Sequence, residues 1–419
     1  MSKPVTGSIA PSDGKAARAR LLGIARVLLA VGLLAFVATL LPWKDQLVHE
    51  SGGSKLSVPG EIEGNWRSET IRFRLEPGTV PPEGWPEASL EALRSPQGLE
   101  LSEGEYHWKP GMPRVFREME PQGLVLGLAL LFAAAFVSVA RWWRLLRIAG
   151  CETSYWNTLR LTFLGFFFNL VVPGLTGGDV IKAVLVVREN PQRRADALMS
   201  VIVDRGLGLF VLVTMALSVV LLDSQRFGDL VLPVAAVFGI MCLAILLLMN
   251  ARLRRALKLS QLLERLPQKE RLRAMERALS IYARHPFEIL IAFGLSALNH
   301  LGIAGAIFAI GRAFGEDQLA FPTYIAVTAI ANVASTVPLT PSGIGVGEGV
   351  FGWLFGVLHA SPTLGVAVSL TFRLLTVVLN LSGGIFLLLP GGSEVRAQME
   401  DAQGSTEKSE NPSAESPPR

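Results

Sequence analysis

Six charged side chains fall where an apolar chain tolerates them least. Asp179 and Lys182, the neighbours Asp204 and Arg205, and then Glu348 and Arg373 all lie within or at the edge of long hydrophobic runs. A charge near a bilayer centre costs roughly 2.5–3.5 kcal/mol even on the lenient insertion scale, so each must face an opposite charge, a wet cavity or a ligand. Basic groups in such a place suit a phosphate-bearing headgroup, because guanidinium and ammonium donors bind phosphate oxygens strongly. The carboxylates suit either ion pairing, Asp179 or Asp204 with Arg205 and Glu348 with Arg373, or receipt of an amine. A zwitterionic headgroup would satisfy both kinds of group. Pairing leaves binding open, since a ligand can rearrange pairs.

The elements that must position these groups are two broken stretches. The first runs Val172-Pro173-Gly174-Leu175-Thr176-Gly177-Gly178-Asp179, and the second Val337-Pro338-Leu339-Thr340-Pro341-Ser342-Gly343-Ile344-Gly345-Val346-Gly347-Glu348. Proline lacks an amide donor and glycine admits positive φ, so Pro173, Gly177, Gly178, Pro338, Pro341 and Gly343 would break a continuous spanning helix. Each stretch therefore reads as the turn of a re-entrant helix hairpin. Asp179 sits where it would cap a half-helix, and Glu348 where an acid meets the positive end of the helix dipole. The acid-to-arginine intervals agree, 205 − 179 = 26 and 373 − 348 = 25. Matched interrupted segments in two halves point to an inverted repeat with the binding site between them.

Half of the 419 residues are hydrophobic, 18% are charged, and mean hydropathy is +0.41, which is a multi-span membrane composition. The net charge of +4 is small, and the bases cluster in loops, where they set topology rather than make a nucleic-acid patch. The pattern predicts a cytoplasmic tail at 1–20, a first transmembrane helix at 21–43, an acid-rich extracytoplasmic insert at 44–120, a transmembrane domain at 121–390 and a disordered cytoplasmic tail at 391–419. Full spans are expected at 21–43, 124–140, 198–222, 230–249, 287–310 and 363–389. With the two hairpins at 155–187 and 322–358 dipping from opposite sides, the fold class is all-α and polytopic, six spans plus two oppositely oriented hairpins in an inverted repeat. The Arg141-Trp142-Trp143-Arg144 run reads as an interfacial flank, and the basic loop 250–285 as an amphipathic helix on an anionic leaflet or as ordinary positive-inside topology. In the insert, Ile71-Arg72-Phe73-Arg74-Leu75 alternates at period two, and 55–64 and 99–103 look strand-like, so a small β-rich module is expected. It serves either as a solvated cap or as a contact for substrate or an envelope partner.

Signatures of cofactor chemistry are missing. His49, His107, His285, His300 and His359 are scattered without ligand spacing, and the glycines at 343–349 do not form G-x-G-x-x-G, so neither a metal nor another cofactor is expected. Cys151 and Cys242 cannot staple the insert.

Pro173 with Gly177-Gly178-Asp179, the Asp204-Arg205 pair, Pro338 with Thr340-Pro341-Ser342-Gly343-Ile344-Gly345-Val346-Gly347-Glu348, and Arg373 together resemble the flippase-like proteins that share the transmembrane region of lysylphosphatidylglycerol synthases. The resemblance covers roughly 121–390. It implies a polytopic cell-membrane protein that moves or handles lipids, including aminoacylated phospholipids, with Asp179, Lys182, Asp204, Arg205, Glu348 and Arg373 lining the substrate path. Lys182 stands where the family often carries arginine, which weakens bidentate phosphate binding there. No soluble acyltransferase-like domain follows 121–390, so lipid aminoacylation by this chain is not expected. The leading expectation is a non-enzymatic lipid translocase acting on anionic or zwitterionic headgroups. The alternatives are a membrane-embedded lipid-modifying enzyme using Asp179, Asp204 and Glu348 as acid-base groups, and a non-catalytic adaptor in an envelope lipid pathway.

Overall fold

A computed structural model describes residues 28, 32, 35, 36, 39, 42–51, 54–102, 106–171, 177–249, 281–282, 284–335 and 345–388. The two expected tails, nearly all of the expected first span, the basic loop 250–280 and the break residues Pro173, Pro338, Pro341 and Gly343 lie outside the described residues.

Five helices are long and apolar enough to cross a membrane. They are α3 (Pro121–Ile148), α6 (Arg194–Leu222), the Phe227–Leu247 portion of α7 (Ser224–Met249), α8 (Pro286–Ala313), and α11 (Pro362–Ser382) continued by α12 (Ile385–Leu388). Several starts follow from sequence: proline occupies the first turn of α3, α8 and α11, where its missing N–H costs nothing. One boundary departs from expectation. The apolar run of α3 was expected to end at residue 140, but the helix continues to Ile148 and ends just before Gly150, whose φ is +73°. Arg141 and Trp142 are therefore buried inside the bundle rather than set at an interface.

Between these helices lie two pairs of shorter ones, α4 (Tyr155–Val171) with α5 (Gly177–Glu189), and α9 (Phe321–Ser335) with α10 (Val346–Val357). Both pairs are antiparallel. In the first, Arg160 near the start of α4 bonds Glu189 at the end of α5 at 2.6 Å, while Gly178 lies against the Gly165 backbone. In the second, the Tyr324 and Phe355 rings stand 5.9 Å apart at one end and Gly347 approaches Ser335 at the other. At 1.5 Å per residue each helix reaches roughly 18–26 Å, short of the ~30 Å hydrocarbon core.

The insert folds as an antiparallel five-stranded sheet, order β4-β3-β2-β1-β5, built from β1 (Asp45–Ser51), β2 (Ser54–Glu63), β3 (Thr70–Leu75), β4 (Leu99–Ser102) and β5 (Tyr106–Lys109). β3 alternates as its sequence does, with Ile71, Phe73 and Leu75 buried in the module's core beside Leu47, Ile62 and Leu93. Two short helices accompany the sheet, α1 (Glu87–Arg94) and α2 (Met112–Arg117). Met112 and Val115 of α2 pack into the bundle's own apolar core with Phe314, Leu319 and Tyr324. Arg67 fastens the loop after β2 to the same end of the bundle: its guanidinium donates to the Ala313 and Glu118 carbonyls at 3.3 and 3.2 Å and pairs with Glu120 at 3.1 Å. The opposite end carries Arg144, Arg147, Arg188, Arg193 and Arg194.

Candidate functional site

Four helices bring polar groups to one level. Arg141 lies 148 − 141 = 7 residues from the end of α3, Lys182 189 − 182 = 7 from the end of α5, Asp204 204 − 194 = 10 into α6, and Ser296 296 − 286 = 10 into α8. At 1.5 Å per residue all four stand about 10–15 Å in from the arginine-rich end. The Arg141 Nε–H donates to Asp204 Oδ1 at 2.8 Å, and its Nη1 donates to Ser296 Oγ at 2.7 Å. Lys182 Nζ approaches the other Asp204 oxygen at 3.6 Å and sits 3.6 Å from the centre of the Trp142 ring. Trp142 is held in turn by its indole N–H, which donates to Ser200 Oγ at 3.1 Å. Arg141 can come this close because α6 presents Gly208 to it, and a Cβ there would stand 3.2 Å from Nη1.

The charges in this cluster do not cancel. One buried carboxylate faces two buried bases, and the remaining compensation comes from the π face of Trp142. Such an excess of positive charge away from water favours an anion.

The next residue along α6 behaves differently. Arg205 pairs with Asp179 at 2.5 Å, yet its side chain is 62% exposed, on the open face that also carries Leu198, Ile202 and Leu209. Asp179 is in the first turn of α5, but the acceptor for the Gly178 N–H is Asn169 Oδ1 of α4, at 2.9 Å.

The second acid-base pair repeats the first at the other end. Glu348 Oε1 accepts from Arg373 Nε–H at 2.6 Å, and Glu348 Oε2 accepts from the Gly345 N–H at 2.7 Å, closing the first turn of α10. Gly345 has φ +82°, a left-handed conformation that glycine adopts freely. Glu348 is 357 − 348 = 9 residues from the end of α10 and Arg373 is 373 − 362 = 11 into α11, about 14–16 Å from the sheet end. Asp179 and Arg205 are 189 − 179 = 10 and 205 − 194 = 11 residues from the arginine-rich end. The two pairs thus stand at matching depths from opposite ends.

Asp179, Lys182, Asp204 and Arg205 come together, Glu348 and Arg373 form their own pair, and Gly177 and Gly178 open α5. Arg141, Trp142, Ser296 and Asn169 were not foreseen. Counting about two and a half helical turns back from the stop at Gly150 would have put Arg141 inside the bundle. Among the described residues no group of three His, Cys, Asp or Glu side chains could hold a metal ion.

Residues 111–384 match the family described as the lysylphosphatidylglycerol synthase TM region. UPF0104 membrane protein MJ1595 of Methanocaldococcus jannaschii is 20% identical over 294 residues, which is 66% of this chain and 87% of the relative. The matched stretch contains both acid-base clusters and leaves the five strands outside it.

Proposed function

We propose that this chain, which belongs to the lysylphosphatidylglycerol synthase TM-region family, is a lipid translocase that conducts an anionic or zwitterionic headgroup past its membrane-buried bases while the acyl tails stay in the bilayer. The observation that carries this reading is the charge imbalance around Asp204: a phosphate entering near Arg141, Lys182 and the exposed Arg205 supplies the missing negative charge. In this reading the antiparallel short pairs are re-entrant hairpins, residues 21–43 supply a sixth span, and the matching depths of Asp179–Arg205 and Glu348–Arg373 reflect an inverted repeat. Rocking of one repeat against the other would expose the path to alternate leaflets. The arginine-rich end then faces the cytoplasm by the positive-inside rule, with both termini, and the sheet lies outside the cell membrane.

Each of the three acids is held by at least one base, an arrangement that supports ion-pair and headgroup contacts along a path over covalent chemistry. The test is protein-dependent movement of fluorescent phospholipids in reconstituted vesicles. Arg205→Ala and Arg373→Ala should each slow it at least tenfold for lipids with a phosphate headgroup. Unchanged movement in both variants overturns the proposed path.

A further inference from the structure

A second group of basic side chains lies outside the membrane helices, in a half-open chamber of about 1030 Å³ between the sheet and α2. Five bases line it, Lys44, Arg74, Arg94, Arg114 and Arg117, beside the acids Asp45, Glu61 and Glu76, and Glu118 and Glu63 just outside it pair with Arg114 and Arg74 at 2.8 and 3.7 Å. Every acid is already answered. Asp45 accepts from Arg114 at 2.7 Å, Glu61 from Arg74 at 2.7 Å, and Glu76 from Lys44 at 2.5 Å. Asp45 is further committed to the backbone N–H groups of Ile62 and Gly111, at 3.1 and 2.8 Å. Two charges are left over: the side chains of Arg94, in the last turn of α1, and Arg117, ending α2, have no ion pair or hydrogen bond among the described residues. They line the chamber from different elements, and both are exposed to solvent.

The chamber also has an apolar side. Trp43 is 59% exposed and Val80 87%, and both line it. Trp43 closes the apolar stretch 21–43, two residues before β1, while α2, which supplies Arg114 and Arg117, packs Met112 and Val115 onto the bundle. The chamber therefore adjoins the sheet end of the membrane helices. Its size matches cavities that hold small ligands.

From these features we infer that the chamber is a binding site for a phosphate-bearing dianion, with Arg94 and Arg117 as its two guanidinium clamps and Trp43 and Val80 meeting whatever apolar group the phosphate carries. Planar guanidinium forks bind phosphate oxygens bidentately, and two of them match the double charge of a phosphomonoester. A lipid headgroup at the facing leaflet and a soluble phosphate ester share this chemistry. The site is separate from the Asp204 cluster and does not depend on translocation.

The experiment is calorimetric titration of the full chain in phosphatidylcholine nanodiscs with two probes, dihexanoyl phosphatidic acid and inorganic phosphate. Saturable binding of at least one probe is expected, weakened about tenfold or more by the double substitution Arg94→Gln/Arg117→Gln. Arg72→Gln, which removes an equal charge from an exposed position on β3 outside the chamber, should leave it unchanged. Tighter binding of phosphatidic acid assigns the site to a lipid headgroup, and equal or tighter binding of phosphate assigns it to a soluble ester. Absence of saturable binding to either probe, an unaltered affinity in the double variant, or an equal loss in Arg72→Gln overturns the inference. If the double variant does not fold, the single substitutions are read in the same way, each with a smaller loss. Arg205→Ala and Arg373→Ala should keep full chamber binding, so the chamber and the membrane path fail or stand separately.

Discussion

Asp204 faces Arg141 at 2.8 Å and Lys182 at 3.6 Å with almost no exposure, so neutralising it strands two buried bases at once. Breaking a buried pair from one side costs roughly 3–5 kcal/mol, and Asp204→Asn should lower the unfolding midpoint in detergent by several degrees. Arg205→Gln removes a base from the open face and should slow lipid movement with a much smaller thermal shift, which the same melting measurement resolves. Cys151 offers a pH test outside the membrane helices. Burial raises its thiol pKa, Asp196 adds to the rise and Arg193 opposes it, so the reactive thiolate is scarce at neutral pH. With Cys242→Ser removing the other thiol, alkylation of native protein at pH 7.5 should lag well behind that of the unfolded chain. The sign for stability follows: a raised folded pKa favours folding below the ordinary thiol range, and that contribution is lost as pH rises through and beyond it. The membrane acids and bases were legible in the sequence because charge stands out against apolar surroundings. Arg141 was not, because arginine beside tryptophan is also the composition of a membrane interface.

The short helix pair α4–α5 depends on contact too close for side chains. A Cβ on Gly178 would lie 2.0 Å from the Gly165 carbonyl oxygen and 2.5 Å from Asn169 Oδ1. Gly178→Ala should therefore spread the pair, cost about 1–3 kcal/mol and displace Asp179 and Lys182 from their partners. Gly206→Ala is the internal control, since nothing lies within 4 Å of its Cβ direction and alanine is the better helix former by roughly 0.5–1 kcal/mol. Thermal melts of the two variants should move in opposite directions. Helix existence was readable from apolar length, and the breaks from proline and glycine. β1 was not readable: Leu47, Val48 and His49 are buried in succession, so the alternation that revealed β3 is missing.

The β-module lies outside the family match, yet it is bolted to the matched helices through Arg67. Arg67→Ala should leave the sheet folded, because Arg67 is not part of its core, but loosen its seat on the bundle, with the Arg114–Asp45 link to α2 remaining. Limited proteolysis is the measurement, with faster release of a fragment carrying residues 45–109 and little change in the melting of the bundle. Sequence located this module by its acidic, strand-like composition but could not tell what it rests on, because its attachment joins residues far apart in the chain.

That attachment constrains how the molecule can move. The Glu120 N–H donates to the Ala313 carbonyl at 2.8 Å, and Arg67 binds that same carbonyl while holding Glu118 and Glu120, so the first residues of α3 and the last of α8 are pinned together. Toward their far ends the two helices share, among the described residues, the buried Arg141–Ser296 hydrogen bond at 2.7 Å and the partly exposed Arg144–Glu288 contact at 2.7 Å. Lengthwise sliding of one helix past the other would tear the pin, whereas a swing about it would not. Displacement then grows with distance from the sheet, and the widest opening falls at the arginine-rich mouth.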